Sequence, residues 1–298
     1  MNIESTRHLR TLEPKLLETI RGQDHVIERA VSVLKRGELG LSKPGRPKGS
    51  FLFLGPTGVG KTELCIAFTS ELFGKQGLVR FDMSEFQTQE TVGLLLGARM
   101  GESGLLGQVM QGRTQGTLLF DEVEKAHPRI MDLFLQILDA ARITLATGET
   151  LDLSNWYVVM TSNIGSAELL GLQFATESTI ERHVLSKAQQ ILRPEIFARI
   201  TEKLVFHRLS YEHQLEIAEK FLREELSFLA TRGIHLTADD TVLPFLVRKG
   251  FHPKLGARPM RDTVEKMVGD AVALALTLGK EGFDLLTAAT TSGCLDVK

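Results

Sequence analysis

The segment Gly55-Pro-Thr-Gly-Val-Gly-Lys-Thr62 constrains this chain more than any other. It fits the pattern G-x-x-x-x-G-K-[ST], follows directly on the apolar run Phe51–Leu54, and opens a helical stretch at Lys61. In a strand, loop, helix context the glycines let backbone N–H groups curl around phosphates, and the helix start adds the positive end of a dipole. Lys61 is then expected to reach the outer phosphates and Thr62 to ligate magnesium. Gly55, Pro56, Thr57, Gly58, Val59, Gly60, Lys61 and Thr62 together form the candidate binding loop.

A nucleotide site also needs a second magnesium anchor and a group that handles water. Leu118-Leu-Phe-Asp-Glu122 supplies both, because an apolar strand ending in two acids exposes them at the carboxyl edge of a sheet, where open α/β sheets take ligands. Asp121 is expected to hold magnesium, directly or through water, and Glu122 to orient and deprotonate the attacking water.

The surrounding pattern fits a parallel α/β sheet. Short β-rich runs at Phe51–Leu54, Leu78–Asp82, Thr117–Asp121, Trp156–Thr161 and Lys203–Phe206 are separated by stretches long enough for crossover helices. Pro128 opens one of these, with Ile130, Leu133, Phe134, Ile137 and Leu138 at helical spacing. After about residue 207 the strand rhythm stops. Leu215, Ala218, Leu222, Leu226 and Leu229 then mark one face of a helix starting near Tyr211 or His213. Thr237, with Asp240 three positions on, reads as the N-cap of a Val242–Leu246 helix ending at Gly250, and a further helix runs from Pro259 towards Leu278. The tail from Phe283 is only weakly β-like. The expected division is residues 1–207, a large α/β domain, and residues 208–298, a smaller and mainly helical one.

Composition excludes several classes. With 35 Lys+Arg against 37 Asp+Glu, the formal charge of −2 argues against a strongly basic nucleic-acid binder. At 43% apolar residues the chain is too hydrophobic to be mainly disordered. The longest apolar run, about the length of Ala271–Leu278, falls far short of the ~18 residues of a membrane span. No membrane association is expected. The first residues lack a charged-then-apolar signal, and the two cysteines, Cys65 and Cys294, imply no disulfide framework, so a cytoplasmic setting is expected. Cys65 is expected to pack on the helix after the loop, and Lys43, Arg46 and Lys48 to stay solvated in a Pro/Gly-rich loop without binding nucleic acid.

A series of motifs occurs in order: Gly22-Gln23, Gly49 to Leu64 around the phosphate loop, Asp82-Met-Ser-Glu-Phe86, Asp121-Glu-Val-Glu-Lys-Ala-His-Pro128, Met160-Thr-Ser-Asn163, Arg193-Pro-Glu195 and Gly256-Ala-Arg-Pro259. Together they make the chain resemble the C-terminal AAA+ module of the Clp/ClpB unfoldases over nearly its whole length. The resemblance implies an AAA+ P-loop NTPase fold, a parallel sheet flanked by helices followed by a helical lid, with ATP and magnesium bound and a ring, a hexamer in the family, acting on a protein client. It further implies that Asn163 is the polar sensor near the attacking water and Arg199 an arginine finger acting on a neighbouring subunit's nucleotide. Arg258 would be a second sensor in the lid. Ile20 falls where the family packs an apolar side chain on adenine, although Arg21 departs from the usual apolar neighbour.

One departure bears on mechanism. Threading relatives carry a Gly-aromatic-Val-Gly pore loop, whereas this sequence reads Gly97-Ala-Arg-Met-Gly-Glu-Ser-Gly104, shorter and without an aromatic. Tyr157 and Tyr211, the two tyrosines, lie elsewhere. Met100 offers a smaller, adaptable contact, and the glycines are expected to leave the loop poorly ordered. Two alternatives stay open: an assembly or switch protein acting at a partner's surface, which the shortened loop favours, and the motor half of a compartmental protease. The second rests on Leu170-Gly-Leu172, which resembles a peptidase-docking loop, and would add a peptidase or adaptor to the partners.

Overall fold

The computed structural model describes residues 3–166, 176–280, 284–288 and 293–298. Leu170–Leu172 lies outside the described residues. The chain divides into two compact units, Met1–Pro56 with Gly60–His207, and Thr57–Val59 with Arg208–Lys298.

The first unit opens with helices α1 (Ile3–Thr19) and α2 (Asp24–Glu38), followed by strand β1 (Gly49–Leu54), α3 (Lys61–Phe73), β2 (Leu78–Asp82), α4 (Gln89–Leu96), α5 (Gly104–Met110), β3 (Gly116–Asp121) and α6 (Pro128–Ala140). A short antiparallel pair, β4 (Arg142–Thr144) and β5 (Thr150–Asp152), precedes β6 (Trp156–Ser162), α7 (Glu177–Ile191), α8 (Pro194–Arg199) and β7 (Glu202–Val205). The five long strands form one sheet in the order β2-β3-β6-β1-β7, every pairing parallel. Every residue of β1, β3 and β6 is buried, as expected for central strands covered on both faces. One face packs Leu52, Phe120, Val158 and Met160 against α6, whose buried residues are Ile130, Leu133, Phe134, Ile137 and Leu138, the five the helical spacing selected. On the other face Phe51, Phe68 and Tyr157 are in ring contact, and the Tyr157 hydroxyl donates to Leu34 O and Glu38 Oε1 of α2 at 3.0 Å each. Cys65 is fully buried on α3, and burial pushes its thiol well above the ordinary range.

The second unit packs α9 (Tyr211–Ala230), α10 (Val242–Gly250) and α11 (Met260–Thr277) around Ala218, Leu222, Phe245, Leu246, Val264 and Val268. It also contains a three-stranded sheet of β8 (Thr237–Ala238), β9 (Leu285–Ala288) and β10 (Leu295–Val297), in the order β10-β9-β8. The weak β pattern of the tail therefore marks real strands, and Leu286, Leu295 and Val297 bury their side chains in the helical core.

Two local expectations are overturned. Thr237 does not cap α10: it sits in β8, its hydroxyl donates to Asp284 O at 3.1 Å, and Thr241 is the residue preceding the helix. A β-branched residue is better placed in a strand than the cap motif suggested. Lys48 is not solvated, since its ammonium pairs with Glu38 Oε1 at 2.9 Å and lies 5.3 Å from the Phe73 ring centroid. Lys43 and Arg46 are exposed.

Candidate active site

The sheet register decides which residues meet. Leu54 pairs with Ser162, so the chain leaves β1 at Gly55 beside Asn163. Phe120 pairs with Met160, which sets Asp121 next to Thr161, and Asp82 pairs directly with Asp121. The carboxyl ends of β1, β2, β3 and β6 thus bring the phosphate loop and its acids to one edge, where parallel sheets take ligands.

Lys61, the first residue of α3, is only 8% exposed. Its ammonium donates to Gly55 O at 2.5 Å, Pro56 O at 2.7 Å and Asn163 Oδ1 at 3.0 Å. Burial lowers its pKa from 10.5 to about 8, although the charges of Glu124, Asp121 and Glu122 pull the other way. Ile20 is buried and faces Gly60, where an added Cβ would stand 3.4 Å from Ile20 Cγ2. Thr57, Gly58 and Val59 belong to the second unit, as does Arg258, one residue before the Pro259 that caps α11.

Asp121 is buried and held on both oxygens. Thr161 Oγ1 donates to Oδ1, while Oδ2 accepts from Arg80 Nη2 at 2.7 Å and from Thr62 Oγ1 at 3.4 Å. A hydroxyl and a carboxylate this close are the oxygen donors magnesium prefers, so the donor set fits that ion. Asp82 is held below the ordinary carboxyl range: burial pushes it up, but the Ser84 N–H bond at 2.9 Å and the charges of Arg80 and Lys125 outweigh that.

Glu122 adopts a left-handed conformation, φ 57°, unfavourable for a residue with a side chain. Three bonds hold it there. Its N–H donates to Thr161 Oγ1 at 3.1 Å, Oε1 accepts from Asn163 Nδ2 at 2.9 Å, and Oε2 pairs with Lys125 at 2.5 Å. Asn163 joins both halves of the site, since its amide oxygen faces Lys61 and its amide nitrogen faces Glu122. Its backbone N–H donates to Glu124 Oε1 at 3.0 Å, and the other oxygen of Glu124 is buried without a hydrogen-bond partner.

Arg199 ends α8 and bonds elsewhere in the first unit. Its Nε pairs with Asp139 on α6 and its Nη1 donates to Glu195 O at 2.8 Å. Arg193 makes a matching pair with Asp132 at 2.5 Å, so two arginines bind α8 to α6.

The 97–104 loop is tied down, contrary to the expected disorder. Glu102 Oε2 accepts from the N–H groups of Ala98 at 3.0 Å and Arg99 at 3.1 Å, and Gly101 N donates to Ala146 O in the β4–β5 turn at 3.2 Å. Gly97 and Gly104 have φ of 98° and 61°, and a Cβ on either would strike backbone atoms within 2.5 Å. These glycines serve a close backbone approach. Met100 is 98% exposed at the loop's tip.

Four residues of the site escaped the sequence reading: Arg80, Thr161, Glu124 and Lys125. Each lies within or beside a quoted motif, and the parallel register of β3 with β6 is the signal that would have singled out Thr161.

Residues 46–203, more than half of the chain, match the AAA domain (Cdc48 subfamily). The chain belongs to this AAA family. Residues 209–283 match the C-terminal, D2-small domain of ClpB protein. Among curated relatives, a chaperone protein ClpB of Aquifex aeolicus (strain VF5) is 38% identical over 93% of this chain and 29% of its own length. A heat shock protein 100 of Trypanosoma brucei brucei is 40% identical over 87% of this chain and 31% of its own. Two solved structures share the fold. The closed state of Hsp104 with ATPγS and FITC casein has a TM-score of 0.86 and 31% identity, covering 100% of this chain and 53% of that one. The S. cerevisiae Hsp104–ADP complex has a TM-score of 0.88 and 29% identity, over 99% and 53%. This AAA chain therefore spans about a third of the curated relatives' length and about half of those solved chains. The matched AAA span contains the phosphate loop, Asp121, Glu122, Asn163 and Arg199.

Proposed function

We propose that this chain is a magnesium-dependent ATPase module that works in a ring of like subunits, a hexamer, to remodel protein clients. The observation that carries the ATPase part of this reading is the convergence on Asn163, which bonds the phosphate-loop lysine through one amide atom and the candidate base through the other, while similarity to ClpB and Hsp104 proteins supports the ring and the client. In the proposed cycle Lys61 exchanges its carbonyl partners for phosphate oxygens, and Thr62 with Asp121 would hold magnesium. Bound magnesium would neutralise charge on the transferring phosphoryl group. Glu122 accepts the proton of the attacking water while Asn163 orients that water, and Arg258 and a neighbour's Arg199 address the γ-phosphate. Ile20 contributes to the adenine pocket. The setting proposed is cytoplasmic; among the described residues no helix is long and apolar enough to cross a membrane.

Glu122→Gln tests the assignment. It keeps the shape and removes the base, so nucleotide binding should persist while turnover falls about 10²- to 10⁴-fold. Hydrolysis at the parent rate would remove Glu122 from the mechanism.

A second reading, remodelling at a partner's surface without threading, is favoured by the exposed, non-aromatic Met100 at the tip of a short, internally bonded loop. An aromatic grips an extended chain with more contact area and less lost entropy than a methionine. A stable tagged fluorescent protein separates the two readings: ATP-dependent loss of its fluorescence with this chain alone means threading, and intact fluorescence beside active ATPase means surface remodelling.

A further inference from the structure

The Asp121 carboxylate is gripped by two groups of very different mobility. Oδ1 takes its bond from Thr161, a 1% exposed residue of a central strand. Oδ2 takes its bond from Arg80, which reaches over from the edge strand β2 with half of its side chain in solvent. The same Oδ2 is the oxygen turned to Thr62 Oγ1. A guanidinium therefore stands on the carboxylate oxygen that faces the hydroxyl of the proposed magnesium pair. A divalent ion and a guanidinium compete for that oxygen and repel one another. Asp121 is fixed by its strand and by Thr161, so the arginine is the partner able to move. Asp82 lies two residues along the same face of β2 and offers it a second carboxylate.

We infer that Arg80 is a displaceable counter-ion that sets how tightly Asp121 and Thr62 take up magnesium. It is a positioning residue and touches no reacting atom. In the metal-bound state Arg80 turns towards Asp82, and the cost of that displacement weakens metal binding and makes nucleotide loading responsive to free magnesium. The inference rests on the magnesium reading of the site proposed above.

Manganese, visible by electron paramagnetic resonance, serves as the probe. The full chain with saturating ADP is titrated with Mn²⁺ as the parent, Arg80→Met, Arg80→Gln and Arg80→Lys, and a fluorescent ADP analogue is titrated in EDTA alongside. A half-exposed ion pair is worth up to about 1 kcal/mol, so the neutral variants should bind Mn²⁺ about three- to fivefold tighter than the parent. Arg80→Lys should stay within about twofold, and metal-free ADP affinity should not change. Two neutral variants guard against one failing to fold, which Trp156 fluorescence reports. Unchanged or weaker Mn²⁺ binding in the folded neutral variants, while the parent binds Mn²⁺ with ADP, would overturn the role of Arg80 alone. A tenfold loss of metal-free ADP affinity would also overturn it, by making Arg80 a phosphate ligand. A parent chain that takes up no ADP-dependent Mn²⁺ would overturn the magnesium reading itself, and this inference with it.

Discussion

Burying a lysine at the start of α3 leaves a signature in stability against pH. A base whose pKa is lower in the folded than in the unfolded chain destabilises the fold while it is protonated, and that cost is relieved as pH rises through the folded value. For Lys61 the gap runs from 10.5 to about 8, and at about 1.4 kcal/mol per pH unit it corresponds to about 3.5 kcal/mol at neutral pH. Replacing Lys61 by Met removes that cost and also strips Gly55 O, Pro56 O and Asn163 Oδ1 of their donor, at about 1 kcal/mol each where water cannot substitute. The two effects nearly cancel at pH 7, so the net change there is uninformative. The pH slope is not. Between pH 7 and 9 the unfolded chain keeps its Lys61 proton while the folded chain loses it, and the parent should gain about 1 kcal/mol relative to Lys61→Met.

Trp156, the one tryptophan, is fully buried in the first unit's sheet, so its emission follows unfolding of the unit that contains Lys61. Urea unfolding of both proteins at pH 7 and 9, without nucleotide and with EDTA, gives the comparison. Cys65, whose buried thiol resists ionisation, erodes stability above about pH 9 in both proteins alike and drops out of the difference. Parallel pH slopes for parent and variant would refute the buried-ammonium argument, because no other change distinguishes the two chains.

If Arg199 acts across a subunit boundary, mixing inactive Arg199→Ala with inactive Glu122→Gln chains should restore measurable turnover, since such fingers are worth about 10³- to 10⁵-fold; absence of complementation in assembled mixtures would exclude this. Thr161→Val should lower stability by about 1–3 kcal/mol and reduce turnover, because one hydroxyl serves both Asp121 and the strained Glu122 backbone, and denaturation with steady-state ATPase assays reads both. Gly104→Ala should perturb the 97–104 loop, because its Cβ would collide with Gly97 N and Leu95 O; proteolytic nicking near Met100 faster than in the parent is the expected result.

What the sequence made legible follows the physics of each signal. The parallel sheet and α6 were readable because buried central strands are continuous apolar runs and an amphipathic helix repeats every 3.6 residues, both local patterns. The phosphate loop and the Asp121-Glu122 pair were readable because their chemistry is concentrated in a few consecutive residues. Arg80, Thr161 and Glu124 were not, since each acquires its role through pairing between strands or turns 39 to 41 residues apart in the chain, which no local window contains. The same limit explains Thr237, where a local cap motif lost to a strand pairing with Leu285.

The bonding pattern around Glu122 would couple phosphate capture to the chemistry of water attack. A glutamate in a left-handed conformation is costly, and the structure retains it with bonds from Thr161 at the backbone and from Asn163 and Lys125 at the carboxylate. Asn163 also faces the lysine that would grip phosphate. Phosphate capture that drew Lys61 off the Asn163 oxygen would alter the bonding of that amide, and its nitrogen would carry the change to the Glu122 carboxylate. On the proposed reading, nucleotide occupancy and readiness of the base are thus coupled through a single side-chain amide, which makes Asn163→Ala more damaging to turnover than to binding. The partner at Oε2, Lys125, is half exposed and free of that linkage, so the route runs through the buried side of the carboxylate.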